Sequence, residues 1–424
     1  MTSLSEQAVS ILRGNDLGGY TVPTKGLYPY QWNWDSSLVA LGWATFDEPR
    51  AWRELERLFE GQWDDGMVPH IVFHRTDSGY FPGPDVWGVR HSPLTSGITQ
   101  PPVAATVVRR LVEGARDRDF ALARATDLFP RLLAWHRWFV RARDPEGSGL
   151  VAILHPWESG MDNSPAWDDA LARVPVEEVP PYKRRDTGHV NAAQRPSNAE
   201  YDRYLSLVYR FRALDYHPDR LVHSSPFRIA DVCVNAVLFR ANIDLRWLAG
   251  ELGRGEVEAS EIDAWMTRAR RGFDRLWDQT AGIYRSYDQL AQAFTPAATS
   301  AGYLPLFAGL ASAEQAARLG RTLQRWLTRV RYGVPSCDPD DPHFERQRYW
   351  RGPVWAIVNW MIAGGLKSYR MDELARRIEE DTAELIRESG LYEYFDPLDG
   401  RGLGGGQFSW TAAMHLAWLG RRPD

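Results

Sequence analysis

Helical periodicity runs through most of this sequence and restricts what the chain can fold into. Apolar residues recur at spacings of three, four and seven, as on one face of a helix. Further helices are predicted at the N-terminus and at 36–46, 353–365 and 409–419, whereas only 68–74 and 282–288 resemble short β-strands. The pattern predicts an all-α fold with minor β elements. The segments with the clearest periodicity are 50–62, 102–115, 120–143, 199–214, 227–252, 261–280, 313–327 and 373–390.

About a dozen helices without a low-complexity linker fit a helical toroid, with an inner ring of helices inside an outer one, better than a four-helix bundle. A chain of 424 residues is compatible with one large domain or with two. We predict a single domain over 1–424, in which the irregular stretches 63–101 and 144–198 form a cap over the functional site. Loops of this length inside a compact domain usually carry function.

Charge and cysteine content exclude several classes of protein. The 50 basic and 55 acidic residues include no dense Lys/Arg block, which argues against a nucleic-acid partner. Cys233 and Cys337 are far apart and form no CxxC pair, so neither a disulfide framework nor a structural zinc is expected. The first apolar run is too short for a secretory signal or a membrane span. We therefore predict a cytoplasmic protein with no metal, no cofactor and no membrane partner, and leave a homo-oligomer open.

An aromatic cluster precedes the helix predicted at 36–46. The sequence has 19 tryptophans, and an excess of Trp beside Tyr and Gly is one way to build a wall on which sugar rings stack. Asp35 follows the cluster and is expected to accept hydrogen bonds from sugar hydroxyls. The alternative is that Asp35 and Ser36 cap the helix and the rings are core. The cluster consists of Tyr28, Tyr30, Trp32 and Trp34.

The loop at 64–88 contains His70, His74 and Tyr80, and Gln100 follows shortly afterwards. Two histidines four residues apart suggest a metal site, but they flank a β-like run and no third ligand has suitable spacing. We expect hydrogen-bonding or packing histidines instead, with His70, Tyr80 and Gln100 facing a ligand cavity.

Acidic residues in the stretch HPWESGMDNSPAWDDA, residues 155–170, include Glu158, Asp162 and Asp168. Asp162 lies between Trp157 and Trp167, and burial beside indole rings raises a carboxyl pKa toward the range of a general acid. Asp162 is therefore the predicted acid, with Trp157 counted among the substrate-binding residues. The alternative is an ordinary Asp-Asn-Ser-Pro turn.

The predicted partner of Asp162 is Glu393, which lies between two tyrosines in the segment 390–414. The glycine-rich run that follows lacks the Lys-Ser/Thr of a phosphate loop, and is expected to let the backbone pass close to a ligand. Glu393 could activate a water molecule. Two carboxyls that converge from separate loops are what glycosidic cleavage requires, one to protonate the leaving oxygen and the other to deprotonate water.

Two further stretches combine arginine with aromatic residues. Arg195 and Tyr201 flank the start of one predicted helix, and Tyr349, Trp350, Arg351 and Trp355 precede another. If the substrate carries a carboxylate, an arginine is the expected ligand for it. A structural ion pair is the alternative for any single arginine.

Taken together, YPYQWNWD, HPWESGMDNSPAWD, RYWRGPVWAIVNW and YEYFDPLDG followed by FSW resemble family 63 of the glycoside hydrolases, in particular its small bacterial members that hydrolyse mannosylglycerate or glucosylglycerate. The resemblance extends from about residue 20 to about 415. It implies an (α/α)6 barrel, inversion at the anomeric carbon, Asp162 as acid and Glu393 as base. It implies a glycerate site formed by Arg195, Tyr201, Gln407 and Tyr28. The sugar ring would contact Trp32, Asn33, Trp34, Asp35, Tyr80, Gln100, Gly160, Tyr349 and Trp350.

The leading hypothesis is an inverting α-glycosidase that cleaves 2-O-α-D-mannosyl-D-glycerate, or the glucosyl counterpart, to the hexose and D-glycerate. A family 63 α-glucosidase acting on a disaccharide or glucoside without glycerate is the alternative within the family. Outside it, a sugar isomerase would rely on histidine bases, and a carbohydrate-binding protein would need no acid and base at all.

Overall fold

A computed structural model describes residues 3–177 and 179–420. Helices dominate these residues, as the periodicity predicts. The helices are α1 Leu4–Asn15, α2 Asn33–Trp43, α3 Glu48–Phe59, α4 Pro84–Trp87, α5 Ala104–Glu113, α6 Arg118–Arg143, α7 Asp168–Ala172, α8 Asp186–His189, α9 Asn198–Ala213, α10 Pro218–Ser224, α11 Val232–Glu251, α12 Glu256–Phe273, α13 Leu304–Ala308, α14 Ala313–Leu327, α15 Ala356–Ser368, α16 Asp372–Ser389 and α17 Ser409–Met414.

Six helices form a closed inner ring. In order around the ring, α2 packs on α5, α5 on α11, α11 on α13, α13 on α15, α15 on α17, and α17 back on α2. Every residue of α2 is buried, as are nearly all residues of α15. A helix that is buried on all sides must be surrounded by other elements, and this explains the central position of α2 and α15. The fold is the (α/α)6 barrel that the resemblance implies.

The outer helices bury only one face. Helices α1, α3, α6, α12 and α16 pack on α17, α2, α5, α11 and α15 respectively. In α3 the buried positions include Ala51, Leu55, Leu58 and Phe59, which fall at helical spacing on a single face. The chain therefore alternates between outer and inner helices around the barrel.

Short antiparallel strands lie at one end of the barrel. Predicted β structure at 68–74 and 282–288 is confirmed, but no sequence pattern indicated the other two-residue strands. The sheets comprise β1 Gln31–Trp32, β2 Ile71–Phe73 and β3 Leu94–Thr95 in one; β4 Ala152–Ile153, β5 Ile229–Ala230, β8 Tyr287–Asp288 and β9 Ala293–Phe294 in another; and the pairs β6 Trp277–Asp278 with β7 Ile283–Tyr284 and β10 Tyr394–Phe395 with β11 Gly402–Leu403.

Long and short connections are segregated. Each connection from an inner helix to the next outer one is a turn of three or four residues, such as 44–47, 114–117, 252–255 and 369–371. Connections from an outer to an inner helix are long and include 60–103, 144–231 and 390–408. All the long connections therefore gather where the inner helices begin, and the functional residues that lie on them meet at that end.

Several predicted boundaries are wrong. Helix α2 begins at Asn33 rather than at 36, and α11 begins at Val232 rather than at 227, because Ile229 and Ala230 form a strand. The helix predicted at 261–280 ends at Phe273 because Trp277 and Asp278 also enter a strand. No helix in the described part of the chain combines the length and apolar character needed to cross a bilayer.

Candidate active site

A cavity opens at the end of the barrel where the inner helices begin. Residues from five of the outer-to-inner connections, and from the first turns of inner helices, contribute to its wall. Most of the predicted substrate-binding residues are brought together here. The wall includes Tyr28, Trp32, Trp34, Asp35, His70, Tyr80, Gln100, Trp157, Gly160, Asp162, Arg195, Tyr201, Tyr349 and Glu393.

Asp162 lies on this wall with its carboxyl partly buried. Its loop is held by side chains from outside it: the Tyr204 hydroxyl donates to the Asp162 carbonyl at 3.1 Å, and the Trp167 indole N–H donates to the Met161 carbonyl at 2.8 Å. Burial raises the pKa of Asp162 to about 7, with the Arg195 charge opposing and the Glu393 charge reinforcing this shift. At neutral pH about half of the Asp162 carboxyl groups in a population of molecules therefore carry a proton that they can donate.

Gly160 explains how Asp162 approaches the cavity. The residue adopts φ +69°, in the left-handed region, and a Cβ at this position would lie 2.7 Å from Cζ2 of Trp34. Only glycine satisfies both conditions. The turn therefore packs directly on the Trp34 ring before the chain reaches Asp162.

Glu393 is buried in the wall of the same cavity, with 1% of its side chain exposed. Oε1 accepts from the Tyr28 hydroxyl at 3.0 Å, and Oε2 accepts from Nη2 of Arg195 at 2.8 Å and from the Gly405 amide at 3.0 Å. Both oxygens of Glu393 are therefore engaged, and one of the three hydrogen bonds, from Arg195, is charge-assisted.

The glycine-rich run passes over Glu393. Gly404 has φ +70°, and a Cβ there would collide with Oε2 of Glu393. The prediction was that these glycines let the backbone approach a ligand. In the structure they let it approach the predicted base, so that the next amide, that of Gly405, can donate to the carboxylate.

Asp35 supplies a third carboxyl. It lies in the first turn of α2 and is buried, and burial together with the charges of Glu393 and Asp162 raises its pKa well above the usual range. The helix-capping alternative is not what the structure has, because the N-cap is Trp32 and no side chain caps it. Asp35 lines the cavity, as its predicted contact with sugar hydroxyls requires.

Aromatic rings and His70 form the rest of the wall. Trp32 packs edge-on against Tyr28 and Tyr80 at 5.3 and 5.7 Å between ring centroids, and His70 stacks on Trp157 at 6.1 Å. His70 Nδ1 lies 2.7 Å from the Ser96 hydroxyl, and burial holds its pKa well below the usual value, so the ring is neutral. This part of the wall therefore presents π faces and uncharged polar groups, which suits a sugar.

Four predicted substrate-binding residues do not line the cavity. Asn33 donates its amide to the Val68 and Pro69 carbonyls, and so holds the loop beneath β2. Trp355 stacks on Trp350 at 3.7 Å, and both are buried outside the wall, with only the neighbouring Tyr349 reaching it. Gln407 is exposed, and in the described structure only its backbone carbonyl is engaged, by Asn15. All four residues therefore lie outside the cavity wall, and Asn33 stabilises the loop next to it.

The other acidic residues of 155–170 have structural partners. Glu158 and Arg143 form an ion pair at 2.6 Å, with 1% and 2% of their side chains exposed. Asp168 receives two hydrogen bonds from Arg351, each 2.8 Å long. Asp169 is exposed, so Asp162 alone among the acids of this stretch is at the cavity.

The predicted histidine environment is also confirmed. His74 bonds Gln31 through Nε2 at 2.7 Å and faces Arg57 through Nδ1, so it points away from His70 and its Ser96 partner. Across residues 3–177 and 179–420, no three His, Cys, Asp or Glu side chains are grouped as metal ligands would be.

Several residues of the wall were not predicted from sequence. Arg185 and Asp186 line the cavity, and Arg184 pairs with Asp186 while covering the Tyr201 ring at 4.3 Å. These charges lie in the stretch 144–198 with no feature in sequence to single them out. Trp410 also lines the cavity and donates its indole N–H to the Glu393 carbonyl at 3.1 Å; its motif FSW was the available signal.

A carboxyl with a raised pKa and a second carboxyl paired with a guanidinium, on one aromatic cavity at the end of an (α/α)6 barrel, are typical of a glycoside hydrolase. Comparison with known proteins agrees. Residues 28–411 match the family described as the mannosylglycerate hydrolase MGH1-like glycoside hydrolase domain. The chain belongs to this family, and it is an enzyme.

Individual relatives are similar over nearly their whole length. The chain is 63% identical over 423 residues to mannosylglycerate hydrolase MGH1 of Selaginella moellendorffii, covering 99% of this chain and 86% of that one. A glucosylglycerate hydrolase of Mycolicibacterium hassiacum is 37% identical, with 99% and 98% covered. Among solved structures, the family 63 mannosylglycerate hydrolase of Thermus thermophilus in complex with Tris and D-glycerate superposes with a TM-score of 0.96 at 54% identity, covering 98% of this chain and all of that one.

Proposed function

We propose that this enzyme hydrolyses 2-O-α-D-mannosyl-D-glycerate to mannose and D-glycerate with inversion of the anomeric centre. The observation that carries the proposal is the pair formed by Asp162, whose pKa is raised to about 7, and Glu393, which is held by Arg195, on one cavity. The similarity to relatives named for mannosylglycerate supports the choice of substrate.

In the proposed reaction the Asp162 carboxyl protonates the glycosidic oxygen as the bond to the anomeric carbon breaks. Glu393 takes a proton from a water molecule that attacks this carbon from the opposite face. Inversion requires room for that water, so the two carboxyls are expected to stand about 6.5–9.5 Å apart, whereas retention needs roughly 5 Å. At the end of the cycle Asp162 is deprotonated and Glu393 is protonated. Proton exchange with solvent restores both groups.

Aromatic faces and hydrogen-bond acceptors are proposed to hold the sugar. The rings of Trp32 and Tyr80 offer packing surface for apolar faces of the pyranose. Asp35 and Gln100 are placed for the hydroxyls; the Gln100 carbonyl already accepts from the Trp34 amide at 3.3 Å, which fixes the orientation of the side chain.

The glycerate is proposed to bind near Arg195 and Tyr201, which both line the cavity. The Tyr201 hydroxyl donates to the Phe81 carbonyl at 3.4 Å, and the Arg195 guanidinium lies 4.5 Å over the Tyr349 ring. Gln407 is omitted from this site because its side chain is exposed and lies outside the wall.

Replacing the two carboxyls tests the assignment. Asp162→Asn and Glu393→Gln should each lower kcat on mannosylglycerate by about 10²–10⁴-fold, the usual contribution of a general acid or base. Asp169→Asn is the matched control, since this aspartate is exposed in the same stretch of sequence. NMR of the first-formed sugar should show β-mannose. Normal hydrolysis by both variants, or α-mannose as first product, would remove the mechanism.

Glucosylglycerate is the second candidate substrate, because the glucosylglycerate hydrolase at 37% identity shares almost the full length. The two sugars differ at the 2-hydroxyl, and an unpaired buried polar group costs about 1–3 kcal/mol. We expect kcat/KM to be higher on mannosylglycerate, given the 63% identity to an enzyme named for it. A higher kcat/KM on kojibiose or trehalose than on either glycerate would favour the α-glucosidase alternative.

We also propose that 63–101 and 144–198 act as a cap. Tyr80 and Arg195 reach the cavity from these stretches, and Arg185 bridges them through its ion pair with Asp77 at 2.5 Å. A cytoplasmic location, the absence of a cofactor and a homo-oligomeric state stay predictions from sequence.

A further inference from the structure

The ion pair between Arg195 and Glu393 connects two parts of the proposed site that are usually treated separately. Arg195 is the residue proposed to read the carboxylate of the leaving group, yet here its Nη2 donates to the predicted base at 2.8 Å, with 1% of each side chain exposed. A charge-assisted bond of this kind in a buried site is strong. Glu393, the proposed base, is therefore already paired with Arg195, the residue proposed to bind the leaving group, before any substrate binds.

Arg195 has donors left over. Its Nη1 donates to the Tyr28 hydroxyl at 2.8 Å, whereas its buried Nε finds no acceptor among the described residues. A buried guanidinium N–H without a partner is costly, and one that lies on the wall of a ligand cavity can be satisfied by a ligand. This N–H is the free edge of the guanidinium, and it suits an anion.

The aromatic surroundings allow the guanidinium to serve two anions. Arg195 lies 4.5 Å over the ring of Tyr349 and within 6 Å of the rings of Tyr28 and Tyr394. Attraction to a ring face stabilises the cation without fixing its rotation in the plane. Arg195 can therefore turn toward a second carboxylate without losing these contacts.

We infer that the carboxylate of the leaving group activates the base. By binding the free edge of Arg195, it shares the positive charge that otherwise belongs to Glu393 alone. The bond from Arg195 to Oε2 weakens, and that oxygen becomes a better acceptor for the proton of the attacking water. In the absence of this carboxylate, Arg195 keeps Glu393 in a resting ion pair. The inference rests on the proposed function and makes the glycerate carboxylate a determinant of kcat and not only of binding.

A glycosyl fluoride separates this effect from substrate binding. α-D-Mannosyl fluoride has a leaving group that needs no proton from Asp162, and it leaves the glycerate site empty. Adding D-glycerate to the wild-type enzyme should raise kcat on the fluoride roughly tenfold, the effect of about one charge-assisted hydrogen bond. Glycerol, which lacks the carboxylate, should leave kcat unchanged.

Arg195 variants complete the test. Arg195→Met should abolish the response to glycerate, and Arg195→Lys, which keeps the charge, should retain part of it. Inhibition by glycerate, no change with glycerate, or equal stimulation of Arg195→Met would each overturn the inference. Because the decisive comparison uses the wild-type enzyme, it does not depend on whether a variant folds.

The same wild-type preparation is assayed on mannosylglycerate. Hydrolysis of mannosylglycerate without stimulation of fluoride hydrolysis would overturn only the activation by glycerate. Failure to hydrolyse mannosylglycerate would overturn the proposed function itself.

Discussion

Three carboxyl groups influence one another's charge in the cavity, and their neighbours give them different tasks. Asp162 and Asp35 have raised pKa values because both are buried and each is close to negative charge. Glu393 is the one among these three that forms an ion pair with a guanidinium, from Arg195. Like charges in a small volume cannot all persist. Burial and pairing, rather than the type of residue, therefore distinguish the proposed acid from the proposed base.

The raised pKa of Asp162 predicts how activity depends on pH. The acid acts only when protonated, so kcat/KM on mannosylglycerate should fall as pH rises through about 7, approaching tenfold per pH unit. Below that pH this group no longer limits the rate. A pH profile measures the fall, and α-D-mannosyl fluoride serves as the control because its hydrolysis should decline much less. Equal alkaline declines on both substrates would assign the titration to another group.

Gly404 predicts a loss of activity without a loss of fold. In Gly404→Ala the new Cβ would meet Oε2 of Glu393 and displace the base, and the positive φ adds strain. Since a shift of about 1 Å at a reacting group can cost roughly 10²-fold, we expect that order of loss in kcat. Gly406→Ala is the control from the same loop, since its Cβ would meet Tyr392 at an ordinary 3.6 Å. Similar kcat values for the two variants would contradict the prediction.

The sequence could single out Asp162 and Glu393 as candidates because their aromatic neighbours are adjacent in sequence, and both line the cavity. It could not say which way each side chain of a motif points. Asn33 lies in the same motif as Trp32 and Trp34, yet its amide turns to backbone carbonyls behind the wall. Nor could it reveal the pairing of Arg195 with Glu393, which are 198 positions apart.

At the scale of elements, helix α6 carries two arginines in contrasting environments. Near its end, Arg143 pairs with buried Glu158, whose other oxygen accepts from the Leu154 amide at 2.8 Å. Two turns earlier, Arg137 bonds Glu261 at 2.6 Å with 46% of its side chain exposed. The first pair joins α6 to the loop that leads to Asp162, whereas the second joins two outer surfaces.

Methionine replacements of these two arginines should differ in their effect on stability. Arg143→Met leaves Glu158 buried without a counter-ion, and we expect it to lower the free energy of unfolding by about 3–5 kcal/mol. Arg137→Met, in the same helix, should cost about 1 kcal/mol or less because solvent screens the pair. Urea unfolding followed by tryptophan fluorescence measures both. Equal losses would show that burial of the first pair contributes nothing.

Helix α16, which buries one face, was predicted more accurately than the inner helix α13. The outer helix α16 runs from Asp372 to Ser389, against a predicted 373–390. The inner helix α13 was missed, because its five residues are all buried and show no alternation between apolar and polar faces. Periodicity reports a boundary between core and solvent, and a short helix without that boundary gives no signal.

At the scale of the whole molecule, the barrel has two dissimilar ends. Turns of three or four residues close one end, and the connections that build the cavity occupy the other. The convergence of distant motifs in one cavity follows from this arrangement. The motifs themselves could be recognised in the sequence. The alternation of long and short connections did not by itself indicate that the motifs meet at a single end of the barrel.

Insertions should therefore be tolerated at one end only. A Gly-Gly-Ser insertion after exposed Gly253, in the turn between α11 and α12, should keep kcat/KM within about threefold, because lengthening a surface turn costs little entropy. The same insertion after Ala192, also exposed, lies three residues before Arg195 and should lower kcat/KM by roughly tenfold or more. Steady-state kinetics on mannosylglycerate measure kcat/KM for both insertions, and circular dichroism verifies that each variant is folded.

The ring closes through contacts between the two ends of the chain. Helix α17 packs on α2 and on α1, and Glu393 and Trp410 arrive with it. During synthesis from the N-terminus, Asp162 is made more than two hundred residues before Glu393. A chain that stops before Glu393 consequently lacks a closed barrel and the proposed base at the same time. Activity of the proposed acid–base pair therefore requires the helix that closes the ring.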